Sequence, residues 1–191
     1  TSTSFQGAQV FNGGGAVSLK ATGGTFNSCF FLSNRSFSKG GALYLENSSP
    51  KLRNCSFQGN HASQNGGAFF SEDSAPELFN CLIWQNAAFE NSTTTSASFE
   101  KSGTGAPTFT QSLVENLSVG NLGGLGNLDG TLPANDPIFI TTLTPLIAPL
   151  KMGGDLRLAA NSPVIDAGLA SAVLSAEDVM GNTRIVAAVD L

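Results

Sequence analysis

The stretch Pro50-Lys51-Leu52-Arg53-Asn54-Cys55-Ser56-Phe57-Gln58-Gly59-Asn60, followed by Gly66-Gly67-Ala68, decides the fold because it recurs at a fixed step of 26 residues. One step upstream stand Phe26, Cys29, Phe31, Asn34 and Gly40-Gly41-Ala42; one step downstream stand Pro76, Leu78, Cys81, Ile83 and Asn86. Phe5 and Gly14-Gly15-Ala16 carry two of these columns back to the first residues. Columns of unrelated residue types holding one period establish a repeat, and a period between about 20 and 50 residues points to a solenoid or array.

Each unit alternates apolar and polar residues in short runs, such as Leu52 to Phe57 and Ala68 to Phe70, which read as strands. Asn, Gly-Gly and Ser-Pro interrupt them as turns. No segment shows the i, i+3, i+4, i+7 stripe of a helix. The spacing therefore predicts an all-β fold, a right-handed parallel β-helix with about three short strands and three turns per coil. Right-handedness is expected from the chirality of parallel crossovers. Over 191 residues this gives roughly six to seven coils in a single domain. Regular repeats run over 5–92 and an inserted Ser/Thr-rich loop over about 93–105. Irregular coils follow over 106–191, where Leu113 to Asn116 resumes the pattern of Ile83 to Asn86.

Stacked coils lie about 4.8 Å apart, so like residues form vertical ladders, each with a physical task. Phe5, Phe31, Phe57 and Ile83 are expected to fill the interior, each contributing about 1.5–3 kcal/mol of burial. Cys29, Cys55 and Cys81 are expected as compact buried thiols rather than disulfide or metal partners. Asn34, Asn60 and Asn86 suit a corner where amides bond from coil to coil and left-handed backbone is tolerated. Gly40-Gly41 and Gly66-Gly67 would allow positive φ and close backbone approach at another.

Composition narrows the function. Apolar residues are 41% and charged ones 12%, with 22 glycines and 14 phenylalanines. Nine basic against fourteen acidic side chains leave a net charge of −5, without the basic stripe of a nucleic-acid binder. No apolar run reaches the roughly 18–20 residues of a membrane helix. Gly13-Gly14-Gly15 and Gly123-Gly124 lack the lysine and strand–helix context of a phosphate loop.

Two resemblances follow from the motifs. Phe31 to Asn34 with Gly40 to Ala42, and Phe57 to Asn60 with Gly66 to Ala68, resemble the repeat of chlamydial-type polymorphic outer-membrane proteins, autotransporter-like surface adhesins with β-helical passengers. Farther on come Asp136-Pro137-Ile138-Phe139, Gly154-Asp155-Leu156-Arg157-Leu158 and Ser162-Pro163-Val164-Ile165-Asp166-Ala167-Gly168. Together with Asp178, Gly181, Asn182, Arg184 and Val189-Asp190-Leu191, these are similar to the end of the choice-of-anchor Q β-helix proteins, though the Gly-Ala and aromatic that usually follow are missing. Both resemblances imply a secreted or outer-membrane-associated bacterial surface protein.

β-Helices include polysaccharide lyases and hydrolases, so a catalytic site is the rival expectation. The carboxylates in the repeats are Glu46, Glu72, Asp73, Glu77, Glu90, Glu100 and Glu115. Glu46 and Glu72 share a column with Asp73 beside them, a weak candidate calcium site. On this reading no basic column joins them: Lys20, Lys39, Lys51 and Arg53 fall outside their register. Asp178 and Arg184, with Asp166 and Asp190, are expected to fix loops. His61, in register with Arg35 and Ala87, reads as a surface corner residue rather than a general base. Tyr44, Phe69, Phe70 and Trp84 are the aromatics a glycan would need exposed, but Tyr44 and Phe70, 26 residues apart, read rather as core or as a stacked surface pair. No Ser/His/Asp pattern appears. Asn34, Asn47, Asn54, Asn91 and Asn116 begin Asn-x-Ser/Thr triplets.

The expectation is thus a non-catalytic, extracellular structural or adhesive rod, with no cofactor. Its partners would be adjacent segments of a longer chain, other copies stacked head-to-tail into filaments, or glycans. The alternative is a carbohydrate-binding or pectate-lyase-like β-helix.

Overall fold

The computed structural model describes residues 3–88, 98–141, 155–165 and 167–168. The first coil contains four strands, β1 (Thr3–Gln6), β2 (Gln9–Val10), β3 (Val17–Lys20) and β4 (Thr25–Asn27). The second repeats them as β5 (Cys29–Leu32), β6 (Arg35–Ser36), β7 (Leu43–Glu46) and β8 (Lys51–Arg53). The third follows as β9 (Ser56–Gln58), β10 (His61–Ala62), β11 (Phe69–Glu72) and β12 (Glu77–Phe79). The fourth comprises β13 (Leu82–Trp84), β14 (Ala87–Ala88), β15 (Phe99–Ser102) and β16 (Thr108–Thr110), and β17 (Leu113–Val114) closes the stack. Like strands of successive coils pair in parallel, giving four sheets, β1-β5-β9-β13-β17, β2-β6-β10-β14, β3-β7-β11-β15 and β4-β8-β12-β16. They are named below as the first to fourth sheets.

This is an all-β parallel solenoid, but of about four turns rather than six to seven. Each coil has four strands instead of three, because the two residues after the asparagine pair as a short strand of their own. The coil-to-coil offset is 26 at Ala62↔Ala88, 30 at Phe69↔Phe99 and 31 at Glu77↔Thr108. Four extra residues therefore enter between Ala88 and Ser98, and one more between Ser102 and Thr108. The register of β17 corrects a second expectation. Val114, not Leu113, lies opposite Ile83. Adjacent apolar residues had made the one-residue slip invisible.

The interior is built from side chains that alternate inward along each strand. Phe5, Phe31 and Phe57 stack with centroids 5.0 and 4.5 Å apart and rings within 9° of parallel. Phe69 and Phe99 repeat this on the third sheet at 5.1 Å. Leu43, Leu52, Leu78, Ile83 and Phe109 complete a fully buried core.

Below the fourth coil the next described residues leave the coil path. Leu117 and Leu122 plug the end of the core. Phe109 and Gln111 donate their N–H groups to the carbonyls of Leu122 and Leu125 at 2.9 Å, and Asn116 donates to Gly130. Residues 117–130 thus cap the first and fourth sheets. β18 (Phe139–Thr141) and β19 (Asp155–Leu158) then form an antiparallel pair. Its Phe139, Leu156 and Leu158, with Val164, pack against Leu82, Trp84 and Leu113 in a second apolar cluster. Leu82, Trp84 and Leu113 point away from the main core, so this C-terminal unit lies on the outside of the first sheet. Of the irregular coils expected over 106–191, β16 and β17 continue the stack, and from residue 117 on the described residues form this cap and lateral pair instead.

Candidate functional site

The asparagine column is an internal device. Asn60 Oδ1 accepts the backbone N–H and the side-chain amide of Asn34, both at 3.0 Å. Asn60 Nδ2 donates to the Phe31 carbonyl at 2.7 Å and to Asn86 Oδ1 at 2.9 Å. The amides are therefore buried and satisfied. They do not take the left-handed conformation expected of them; the residues just before them do, Ser33, Gly59 and Gln85 with φ of 51°, 68° and 52°. Asn116 belongs to this preceding column at φ 62°, not to the amide ladder. At its lower end Asn86 turns its amide to the carbonyls of Phe57 and Trp84.

The cysteines stack at one register, all three buried and free of disulfides. Contact with the Cys55 thiol, then burial, pushes Cys29 far above its ordinary pKa; burial chiefly does the same for Cys55. Cys55 and Cys81 give weak hydrogen bonds to the carbonyls two residues back, and Ser112, next in the column, does likewise through its hydroxyl to Thr110. The column thus needs a small side chain with one polar hydrogen, not a reactive thiolate. A parallel hydroxyl ladder, Thr22, Ser48 and Ser74, was missed although its step is also 26: Thr22 N–H donates to Ser48 Oγ and Ser48 N–H to Ser74 Oγ.

At the Gly-Gly corner, Gly40 and Gly66 have φ of 71° and 70°, whereas in the first coil the left-handed residue is Gly13, not Gly14. A Cβ on Gly41 would stand 1.9 Å from the carbonyl oxygen of Gly67, so the second glycine sets the spacing between coils.

Outside the core, Glu46 and Glu72 face each other across β7 and β11. The expectation that no base joins them is overturned. Lys20 is in register with Glu46, and its Nζ lies 2.9 Å from Glu46 Oε1. Lys51 likewise meets Glu77 at 3.2 Å. Glu72 accepts the Tyr44 hydroxyl at 2.5 Å, and Asp73 accepts the Thr104 N–H at 2.8 Å and its hydroxyl at 3.1 Å. Burial, then Glu72, pushes Tyr44 up to about 12. Each of the three carboxylates is thus engaged by a different group. Among the described residues no three His, Cys, Asp or Glu side chains gather around a common metal position. Glu90, Gly154, Asp166, Asp178, Gly181, Asn182, Arg184 and Val189-Asp190-Leu191 lie outside the described residues, as does Asn91.

His61 is not a surface residue. It is 1% exposed, paired with Arg35 and Ala87 on the second sheet. Burial, then the Arg35 guanidinium, lowers its imidazole to about 4. Phe69, Phe70 and Trp84 are buried too; Phe70 lies under Tyr44 at 5.9 Å and under Lys39 Nζ at 4.4 Å. Among the described residues the exposed aromatics are instead Phe11, 80% accessible, and Phe37, stacked at 5.3 Å with the Arg35 guanidinium 4.1 Å from the Phe37 ring. Their 26-residue step was the signal available in the sequence. Of the triplet asparagines described, Asn47 and Asn116 are exposed, while Asn34 is buried.

Fold and ladders together define a β-solenoid repeat protein. The Chlamydia polymorphic membrane protein repeat matches residues 54–72, the run from Asn54 through β9, β10 and β11. No curated protein and no solved structure matches the chain. Among the described residues no helix is long and apolar enough to cross a membrane.

Proposed function

We propose that this chain is a non-catalytic solenoid module of a bacterial surface or outer-membrane-associated protein, acting as an adhesive stalk or spacer. The observation that supports this is the repeat match over residues 54–72, which falls on a coil whose motif residues serve stacking. A right-handed winding and a C-terminal kinship with choice-of-anchor Q proteins are part of the same proposal. The test is antibody labelling of intact cells before and after external protease, with adhesion of beads coated with the chain. Labelling that protease abolishes supports the reading; a protected epitope and inert beads overturn it.

The first coil is where a partner would add. Phe5, Val17, Leu19 and Phe26 are only partly buried, whereas Phe31, Leu43, Leu45 and Leu52 one coil below are at most 1% exposed. Strand edges with an apolar end attract further strands. An adjacent segment of a longer chain or another copy would satisfy them. At the other end, residues 117–130 cover two of the four sheets, so a head-to-tail filament must first displace that cap. Sedimentation at rising concentration, with electron microscopy, tests it: monomers without fibres exclude the filament.

The rival reading, a carbohydrate-binding or polysaccharide-cleaving β-helix, draws on the exposed Phe11–Phe37 pair. These rings stack on each other, which covers one face of each, so the face a sugar would use is the outer one of Phe11. Screening acidic and neutral polysaccharides with and without calcium decides it, and neither binding nor cleavage would retire it.

A further inference from the structure

We propose that Asn12-Gly13, on the exposed corner between the second and third sheets of the first coil, is a self-modifying site: the Gly13 amide nitrogen attacks the Asn12 side chain and converts it, through a cyclic imide, to aspartate or isoaspartate. The chain holds a second Asn-Gly pair, Asn65-Gly66, at the corresponding corner of the third coil. Both glycines are left-handed, with φ of 85° and 70°, and both are followed by another glycine. What separates them is how they are held. The Asn65 carbonyl accepts the Gly40 N–H and the Gly66 carbonyl accepts the Gly41 N–H, both at 2.9 Å, so the peptide unit between them cannot turn without breaking ladder bonds. Asn12 is exposed, and among the described residues neither its carbonyl nor the Gly13 N–H makes a hydrogen bond. Gly13 has no Cβ beside its nitrogen, and the side chain nearest to it is the Ser18 hydroxyl, which accepts the Gly14 N–H.

The step balances with water alone. The Gly13 nitrogen gives its proton to solvent base and bonds to Asn12 Cγ, while the Cγ–Nδ2 bond breaks and ammonia leaves with a proton from solvent. Water then opens the ring at either carbonyl. One water is consumed and one ammonia released; nothing is oxidised or reduced. The product adds a negative charge to a coil in which Lys20 is the sole charged residue from Thr3 to Asn27. The isoaspartate form also lengthens the backbone just before the Gly14 N–H that donates to Ser18 Oγ.

The test incubates the folded chain at mildly alkaline pH and follows both peptides by mass spectrometry, with enzymatic methylation to detect isoaspartate. Two ladder hydrogen bonds that must open first should slow Asn65 by about tenfold to a hundredfold relative to Asn12. In denaturant the two rates should converge, and Asn12→Gln should abolish the faster conversion. Equal rates in the folded chain, faster conversion at Asn65, or a ratio that persists in denaturant would overturn the proposal.

Discussion

Asn60 shows how much a single side chain can carry here. It takes two hydrogen bonds from Asn34 and gives two, to Phe31 and Asn86, all out of contact with solvent. Asn60→Ala should cost about 2–4 kcal/mol in urea unfolding, the toll of stranding buried polar groups, while Asn47→Ala on the surface should stay within about 0.5 kcal/mol. His61 gives the pH dependence. Its folded pKa of about 4 lies below the ordinary 6.5, so the unfolded chain binds the proton more readily. Stability is therefore fully present above pH 6.5 and falls as pH drops toward 4, by up to about 3 kcal/mol. Burial raises the Glu115 carboxyl, which acts in the opposite sense: its cost grows as pH rises and is relieved in acid. The difference between wild type and His61→Gln across a pH series isolates the imidazole; equal slopes would refute it. Since Glu46, Glu72 and Asp73 are each engaged elsewhere, adding calcium or a chelator should leave the thermal midpoint unchanged.

At the scale of the coil, contact between neighbours is set by glycine. Gly41→Ala would drive a methyl into the Gly67 carbonyl and should destabilise by about 3 kcal/mol or more, whereas Gly23→Ala, with open space around it, should be close to neutral in the same melt. Which elements the sequence discloses follows the same physics. Stacking forces a column to keep its residue type, so Phe31 and Phe57, or Asn34 and Asn60, announce their positions by repetition. Residues that merely face outward carry no such obligation, and thus the burial of His61 could not be read, whereas the step of 26 between Tyr44 and Phe70 did disclose their stack. Lys20 is a different case: its step to Glu46 is 26 like the rest, and the column was legible but overlooked. Where two insertions intervene before β17, counting alone cannot separate Leu113 from Val114, because either would fill the core.

At the largest scale the described residues form a stack with a sideways attachment. The cap and the β18–β19 pair occur once, so no period reveals them, and the apolar residues that extend the solenoid in the sequence reading instead cover the outside of its first sheet. Gln111 Nε2 donates to the Ala167 carbonyl at 3.0 Å where the part from 155 onward meets the four-turn stack, and an apolar cluster around Phe139 packs the same contact. Phe139→Asp should therefore detach the pair. Trp84, the single tryptophan, would shift its emission to the red while the far-ultraviolet signature of the solenoid persists. An unchanged emission would mean that Phe139 does not hold the attachment.

The change of offset between Ala88 and Ser98 shows that four residues can be spliced into the corner between the second and third sheets while Phe99 still lands on Phe69. That corner is a natural graft point. A foreign peptide sewn in there would be displayed at a fixed station along the axis, its two ends anchored by strands that already know their partners.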